Sequence, residues 1–356
     1  MMMIVSIPVI PSVMSAPTSF TSPVIITPAQ ALESAAEYHR KLMSSGSSSS
    51  SGNMKKDRYV DATWYLNSNR DADEDYKMRR IAGSIRFDID KIRDTSNDHV
   101  SSLPHMLPSY HAVNQWLRDN KVDISKERLV VYTHPGSCAG PRVWWMFTLY
   151  GLDAVYLQGG LIAWEAADGD VEWGWNDNDD SAADAAAAAD DDAGVGSSAS
   201  LIDEASANDA VKEYVATLQY INDTNNDDDI IIDARPADRF NGVAAEPRPG
   251  LRRGHIPGSI NMPFTSVLQP DDSTSFNMDM ILNDNNNTKV SSLLREDKKL
   301  KIFTCGSGVS AAVVLLADRI ANNTRSLKGT KLYDGSWSEW GNPSSNTPVE
   351  STTDNQ

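Results

Sequence analysis

The second half of this chain repeats the first, and the repetition constrains the fold more than any other feature. The spacing between matching segments runs from 171 residues (Thr133 to Thr304) to 176 residues (Gly159 to Gly335). In each half, short apolar runs of strand length alternate with stretches of helical periodicity. Such alternation is typical of parallel sheets covered by helices. The sequence therefore predicts an α/β protein of two tandem domains, each a parallel sheet flanked by helices.

Breaks in composition set the expected domain limits. Between residues 166 and 200 the chain consists mostly of Asp, Ala, Gly, Ser and Asn, which cannot bury enough apolar surface to become ordered. The leader carries no Lys or Arg, so it matches neither a secretory signal nor a mitochondrial presequence and does not decide between a cytoplasmic and a mitochondrial location. The predicted organisation is a leader (1–22), an N-terminal domain (23–165), an acidic linker (166–200), a C-terminal domain (201–346) and a disordered tail (347–356).

Charge and cysteine content exclude several classes of protein. The formal net charge of −17 argues against nucleic acid or an anionic membrane as a partner. No run approaches the ~20 apolar residues of a membrane-spanning helix. Two cysteines, Cys138 and Cys305, cannot supply a disulfide framework, which favours a reducing compartment.

The best candidate for chemistry is the stretch 303–311, Phe-Thr-Cys-Gly-Ser-Gly-Val-Ser-Ala, between a predicted buried strand and a predicted helix over 311–320. A cysteine on such a turn faces the free N–H groups and the positive end of the helix dipole, which stabilise a thiolate. Gly306 and Gly308 allow successive amides to curl around the sulfur. This layout predicts that Cys305 is an activated nucleophile; the alternative is a buried cysteine beside a structural turn.

The matching turn of the first half carries no cysteine at the equivalent place. His134 is predicted to fall where Cys305 falls, and Cys138 is interpreted as a non-catalytic thiol. The first half is therefore expected to be catalytically silent.

Two such halves, with a cysteine turn only in the second, resemble the tandem rhodanese-like sulfurtransferases. The resemblance covers most of 60–164 and 231–340 and lies in six motifs, Asp88–Asp90, His105–Pro108, Pro141–Met146, Glu246–Arg248, Gly254–Gly258 and Asp334–Trp340. Within that family, Cys-Gly-Ser-Gly-Val at 305–309 is similar to the 3-mercaptopyruvate branch, whereas the thiosulfate branch typically carries Arg and Lys in this loop.

The two branches differ for a physical reason. Thiosulfate is a compact dianion whose sulfonate must be neutralised beside the sulfur, whereas 3-mercaptopyruvate carries its carboxylate a few bonds away. The resemblance implies that Arg239 and Arg248 bind this carboxylate, for which a guanidinium is well suited. It also implies that four loop residues contact the substrate: Gly306, Gly308, Val309 and Ser310, the last standing where the family usually has Thr.

The resemblance further implies a proton relay of Ser307, His105 and Asp90, which requires the active site to lie between the domains. The alternative is that Asp90 and His105 only shape the interdomain surface. Arg142 and Arg235 are expected to be structural.

The function implied is transfer of sulfur from 3-mercaptopyruvate, through a persulfide on Cys305, to cyanide or a thiol such as a thioredoxin-like protein, with release of pyruvate and with no metal or organic cofactor. A thiosulfate:cyanide sulfurtransferase, or a module that carries a persulfide or binds anions without turnover, remains open. A phosphatase of the Cys-x5-Arg type is disfavoured, because Ala311 stands where that class needs Arg.

Overall fold

A computed structural model describes residues 23–44, 54–66, 69–174, 202–223, 229–282, 289–297 and 299–351. The predicted leader, most of the predicted acidic linker and the last five residues of the predicted tail lie outside the described residues.

The first half contains one parallel five-stranded sheet with the strand order β1-β6-β5-β2-β4. Its elements, in chain order, are β1 (Ile25–Ile26), α1 (Pro28–Ser44), β2 (Lys56–Asp61), α2 (Ala72–Met78), β3 (Arg79–Ile81), β4 (Ile85–Arg86), α3 (Asp98–Ser102), α4 (Tyr110–Asp119), β5 (Glu127–Tyr132), α5 (Gly140–Leu149), β6 (Ala154–Leu157), α6 (Gly160–Ala166) and β7 (Val171–Trp173).

The second half builds the same sheet again, in the order β8-β14-β13-β9-β10. Its elements are α7 (Glu204–Tyr214), β8 (Val215–Ala216), α8 (Leu218–Asp223), β9 (Asp229–Asp233), α9 (Ala237–Phe240), β10 (Ile260–Asn261), a 3₁₀ turn (Phe264–Val267), β11 (Leu268–Gln269), β12 (Asp272–Phe276), α10 (Met278–Leu282), α11 (Lys289–Leu294), β13 (Leu300–Thr304), α12 (Val309–Ala321), β14 (Thr330–Tyr333), α13 (Ser336–Trp340) and a second 3₁₀ turn (Pro343–Ser345). The predicted repeat of two parallel α/β sheets is confirmed.

Helices α5 and α12 pack against each other across the boundary between the halves. Both are apolar on nearly every face, and such helices are stable only when they are buried. One continuous apolar cluster contains Trp144 and Trp145 of α5 together with Leu315 and Leu316 of α12. The two halves therefore share a core.

Strand register corrects one detail of the predicted repeat. Asp61 on β2 lies opposite Tyr132, and its counterpart Asp233 on β9 lies opposite Thr304. The residue that corresponds to Cys305 is therefore Thr133, and the prediction of His134 was wrong by one position. The sequence comparison matched Thr133 with Thr304 because both are threonines, and this match placed the turn one residue out of register.

A hairpin of the second half covers the matching edge of the first sheet. Strands β11 and β12 pair antiparallel, and the carbonyl of Thr274 accepts hydrogen bonds from Gly159 N (3.0 Å) and Tyr156 Oη (2.9 Å). Gly136, in the turn that matches the Cys305 turn, donates its N–H to Ser273 Oγ (3.0 Å). The turn of the first half that matches the Cys305 turn thus has no cysteine at the equivalent position, and the hairpin of the second half covers this turn.

The first half also extends further than the expected limit of residue 165. Val171–Trp173, at the start of the predicted linker, forms β7 and pairs antiparallel with β3.

We expect the replacement Phe276→Ala to destabilise the protein by about 3–5 kcal/mol, the usual cost of removing a buried aromatic ring. Phe276 is fully buried and packs edge-on against Tyr156 of the first half at 5.7 Å between ring centroids. Urea unfolding checks this, with Leu282→Ala as the control because Leu282 is 45% exposed. Equal losses in the two variants would show that the hairpin does not bind the halves together.

Candidate active site

Cys305 stands at the carboxyl end of β13, and its side chain is almost fully buried. Helix α12 starts four residues later, after Gly308, which adopts a left-handed φ of +80° and forms the N-cap without a side-chain hydrogen bond. The N–H groups of the first turn of α12 therefore receive no side-chain cap from this position, and the positive end of the helix dipole lies next to the turn. Cys305 therefore lies on a strand-to-helix turn, as the sequence predicted.

The segment that follows β14 holds the carbonyl side of the turn. Cys305 O accepts from Trp337 N (2.9 Å), and Gly306 O accepts from Ser338 N (2.9 Å) and Ser338 Oγ (2.7 Å). Because the C=O and N–H of one peptide unit point in opposite directions, the N–H groups of Gly306 and Ser307 point away from this segment. The turn is therefore arranged to present amides rather than carbonyls on its other side.

The two predicted carboxylate-binding arginines both lie at this turn. Arg239 Nη2 is 3.1 Å from the position that a Cβ would take on Gly306. Its Nε donates to Glu246 Oε2 (3.1 Å), while the other oxygen of Glu246 binds Arg235 (2.7 Å). Arg235 also pairs with Asp233 and is buried, which agrees with the structural role expected for it. Glu246 was missed by the sequence interpretation, although it stands inside the Glu-Pro-Arg motif.

Arg248 connects the turn to the first half. Its Nη2 lies 3.2 Å from His105 Nε2. Burial holds the pKa of Arg248 below its usual value, and the negative charge that Cys305 can carry acts in the opposite direction. The guanidinium is therefore close enough to the sulfur to respond to its ionisation.

Asp90 and His105 form a pair beside Arg248. His105 Nδ1 is 2.9 Å from Asp90 Oδ1, and Trp64 Nε1 donates to Asp90 Oδ2 (2.7 Å). The hydrogen bond with His105 lowers the pKa of Asp90, and burial lowers the pKa of His105. Because Arg248 can only donate, His105 Nε2 must be the acceptor and Nδ1 must carry the proton, which gives a neutral imidazole.

The third member of the predicted relay is not joined to the other two. Ser307 is buried in the turn, but in the described part of the chain no hydrogen bond links its hydroxyl to His105. The structure thus brings Asp90 and His105 together and places Arg248 where the relay had Ser307. The role of Ser307 stays a prediction.

Arg142 reaches the turn from the first half, and this contact was not anticipated. Its fully buried guanidinium donates through Nη2 to Asp334 Oδ1 (2.5 Å) and to His105 O (2.7 Å), while Asp334 Oδ2 accepts from Leu107 N (2.7 Å). Arg142 Nη1 is also 3.0 Å from the position of a Cβ on Gly308. An arginine within the apolar run Pro-Arg-Val-Trp-Trp-Met was the available signal, because a buried charge requires a partner.

Cys138 lies near the site but has the character of an inert thiol. Burial raises its pKa to about 12, and the charge of Cys305 acts in the same direction. A thiol with this pKa is protonated at neutral pH, in agreement with the non-catalytic role predicted for it.

The described residues contain neither a candidate metal site nor a candidate membrane span. Within them, no group of His, Cys, Asp or Glu side chains is placed to hold a metal ion. No helix among them is both long enough and apolar enough to cross a bilayer.

Comparison with protein families places the cysteine turn in a known class. Residues 217–343 match the family model of the rhodanese-like domain. Because the first half repeats the same sheet order, the chain has the architecture of a tandem rhodanese-like protein.

Comparison with curated and solved proteins gives the family. The 3-mercaptopyruvate sulfurtransferase of Escherichia coli (strain K12) is 35% identical over 285 residues, covering 79% of this chain and 86% of that protein. The mitochondrial thiosulfate/3-mercaptopyruvate sulfurtransferase 1 of Arabidopsis thaliana is 31% identical over 306 residues, covering 83% and 74%. The crystal structure of the 3-mercaptopyruvate sulfotransferase SseA from Escherichia coli superposes with a TM-score of 0.57 at 26% identity, covering 89% and 100%. The chain belongs to the 3-mercaptopyruvate sulfurtransferase family and is a sulfurtransferase.

We expect Gly308→Ala to lose about 1–2 kcal/mol of stability, because a left-handed φ is costly for a residue with a Cβ. It should also lower sulfur-transfer activity, since the new methyl would press on Arg142 Nη1 at 3.0 Å and on Asp334 O at 3.4 Å. The matched control is Gly329→Ala, which has a φ of +78° and no atom within 4 Å of the new Cβ. Both variants should melt earlier, and only Gly308→Ala should lose activity; equal activity would contradict the contact with Arg142.

Proposed function

We propose that this protein transfers sulfur from 3-mercaptopyruvate to a thiol or cyanide acceptor through a persulfide on Cys305. The observation that carries the proposal is the position of Arg239 and Arg248 beside a cysteine turn whose own residues include no cation. Two guanidinium groups that approach the turn from outside suit a donor whose carboxylate is separated from its thiol. The names of the relatives in Escherichia coli and Arabidopsis thaliana support the same donor.

The chemistry takes place in two displacements. The Cys305 thiolate attacks the sulfur of the donor, forming a new S–S bond while the donor's C–S bond breaks. The electron pair of that bond stays with the organic fragment as the enolate of pyruvate, which then takes up a proton. An acceptor thiolate or cyanide next attacks the outer sulfur, the S–S bond breaks and Cys305 leaves as the thiolate.

The turn stabilises the negative charge that exists at each stage. The N–H groups of Gly306 and Ser307, which point away from the segment after β14, and the first turn of α12 are the donors for thiolate and persulfide. Gly308, Val309 and Ser310 complete the wall against which the donor lies.

His105 is the group that accepts the proton of the donor's thiol. It is neutral, with Nδ1 at 2.9 Å from Asp90 Oδ1 and with the Nε2 lone pair occupied by Arg248. When the donor's carboxylate draws Arg248 towards itself, Nε2 is released next to the donor's thiol. Binding of the correct donor thereby frees the base, and the same proton can return to the enolate.

Thiosulfate is the second candidate donor. Arg239 Nη2 lies 3.1 Å from a Cβ position on Gly306, so one cation does approach the turn from outside. The Arabidopsis thaliana relative is named for both donors. Turnover measured with each donor at equal concentration distinguishes the two candidates. A preference for thiosulfate would identify it, instead of 3-mercaptopyruvate, as the donor.

The persulfide is tested by intact-protein mass spectrometry after addition of 3-mercaptopyruvate without acceptor. The wild-type protein should gain the mass of one sulfur atom, and the gain should disappear when an acceptor thiol is added. Cys305→Ser should gain nothing, while Cys138→Ser should behave as the wild type because Cys138 is protonated. A gain that persists in Cys305→Ser would overturn the assignment. A gain that no acceptor removes would favour a persulfide carrier without turnover.

The role of the Asp90–His105 pair is tested by the pH dependence of kcat/KM. Burial lowers the pKa of His105 and the Asp90 carboxylate raises it again in part, because the carboxylate stabilises the imidazolium. Activity that needs neutral His105 is lost as the pH falls through this pKa. Asp90→Asn should therefore move the acid limb to lower pH while it reduces the plateau rate. Asp209→Asn, an exposed acid on α7, should leave both unchanged, and an unmoved limb in Asp90→Asn would exclude the relay.

A further inference from the structure

Trp64 touches both members of the Asp90–His105 pair. Its indole Nε1–H donates to Asp90 Oδ2 at 2.7 Å, and its ring meets the His105 ring edge-on with 4.6 Å between centroids. One side chain thus fixes the carboxylate through a hydrogen bond and the imidazole through packing.

Asp90 needs such a fixed partner because its side chain is largely exposed to solvent. Its side chain is 56% exposed, whereas that of His105 is 2% exposed. A short carboxylate at this exposure has solvated rotamers available that do not reach His105. Trp64 and His105 each take one oxygen of Asp90, and the carboxylate can satisfy both only in a single orientation.

Trp64 is itself mounted on the turn of the silent half. Its backbone N–H donates to Ser137 Oγ (3.1 Å), a fully buried hydroxyl that also accepts from Ala139 N (3.3 Å). The preceding residue, Thr63, accepts from His134 N through its hydroxyl (3.0 Å). The turn over 133–139, which corresponds to the Cys305 turn, therefore sets the position of the residue that holds the pair.

We propose that Trp64 is a positioning residue for sulfur transfer, holding Asp90 against His105, and that the silent turn serves as its anchor. This inference rests on the proposed function of the pair. It assigns the turn of the first half a task in the reaction, although that turn carries no nucleophile at the matching position.

Because arginines already supply positive charge around the Asp90–His105 pair, an uncharged side chain is suited to orient Asp90. Arg93 lowers the pKa of Asp90 and so favours its carboxylate, whereas Arg142 and Arg248 lower the pKa of His105 and so disfavour its imidazolium. The three arginines belong to three different segments. An indole adds a hydrogen-bond donor without another positive charge. Trp64 can thus orient Asp90 while leaving the charge balance of the site to the arginines.

The test is a double-mutant cycle with Trp64→Phe, which keeps an aromatic ring and removes the N–H donor, and Asp90→Asn. We expect Trp64→Phe to lower kcat about ten-fold, less than the roughly 10²–10⁴-fold that a general base contributes, because the base itself is retained, with KM for 3-mercaptopyruvate unchanged. The double variant should be no slower than Asp90→Asn alone, because Trp64 acts through Asp90. The acid limb of the pH profile should move in the same direction in both single variants.

Trp173→Phe is the matched control, since Trp173 is 70% exposed on β7, outside the site, and its replacement should leave kcat unchanged. Additive losses in the cycle, or an unchanged kcat in Trp64→Phe, would overturn the positioning role. Failure of the wild-type protein to turn over 3-mercaptopyruvate would instead overturn the proposed function, and an unchanged rate in Asp90→Asn would overturn the proposed role of the Asp90–His105 pair. If Trp64→Phe does not fold, Ser137→Ala takes its place in the cycle: it removes the anchor of Trp64, and coupling to Asp90 decides the inference in the same way.

Discussion

The buried ion pair between Arg142 and Asp334 is the interaction on which the site depends. Arg142 comes from the first half and Asp334 from the second. Arg142 donates to His105 O, Asp334 accepts from Leu107 N, and both residues lie close to Gly308 at the end of the cysteine turn. Removing one partner of such a pair leaves a buried charge uncompensated, at a cost of about 3–5 kcal/mol. The pair therefore does more than join two domains, because it also fixes His105 and Leu107 of the first half relative to the segment that follows β14.

This arrangement explains why the site requires both halves of a duplicated chain. The second half alone supplies Cys305, its amides and the two arginines that we propose bind the donor. The first half supplies His105, Asp90 and the residue that orients them, and the neighbouring segment reaches Glu339 on α13 through His99 (3.0 Å). The duplication gave the first half an equivalent turn, but the β11–β12 hairpin now covers it. Its remaining polar groups can thus be used for support instead of chemistry.

The sequence predicted the fold and the strand-to-helix turn that carries Cys305, because both depend on local patterns. Alternating apolar runs predict strands and helices, and the glycines around Cys305 predict a turn that presents amides. The sequence interpretation failed in two respects. The register between halves was misplaced by one residue, since pattern matching carries no information on which backbone groups pair. The contact of Arg142 with Asp334 across the interface and the contact of Trp64 with Asp90 within the first half join residues 192 and 26 positions apart, and neither has a periodic signature.

The placement of Arg248 changes how the relay itself must be understood. A serine hydroxyl at this position could accept one proton and donate another, whereas a guanidinium has no lone pair with which to accept one. Arg248 instead donates a hydrogen bond to the lone pair of His105 Nε2. In the mechanism that we propose, the donor's carboxylate competes for this guanidinium and frees the base, which links proton abstraction to recognition of the carboxylate. A thiol without a carboxylate at the right distance would then leave His105 blocked and receive no help in losing its proton.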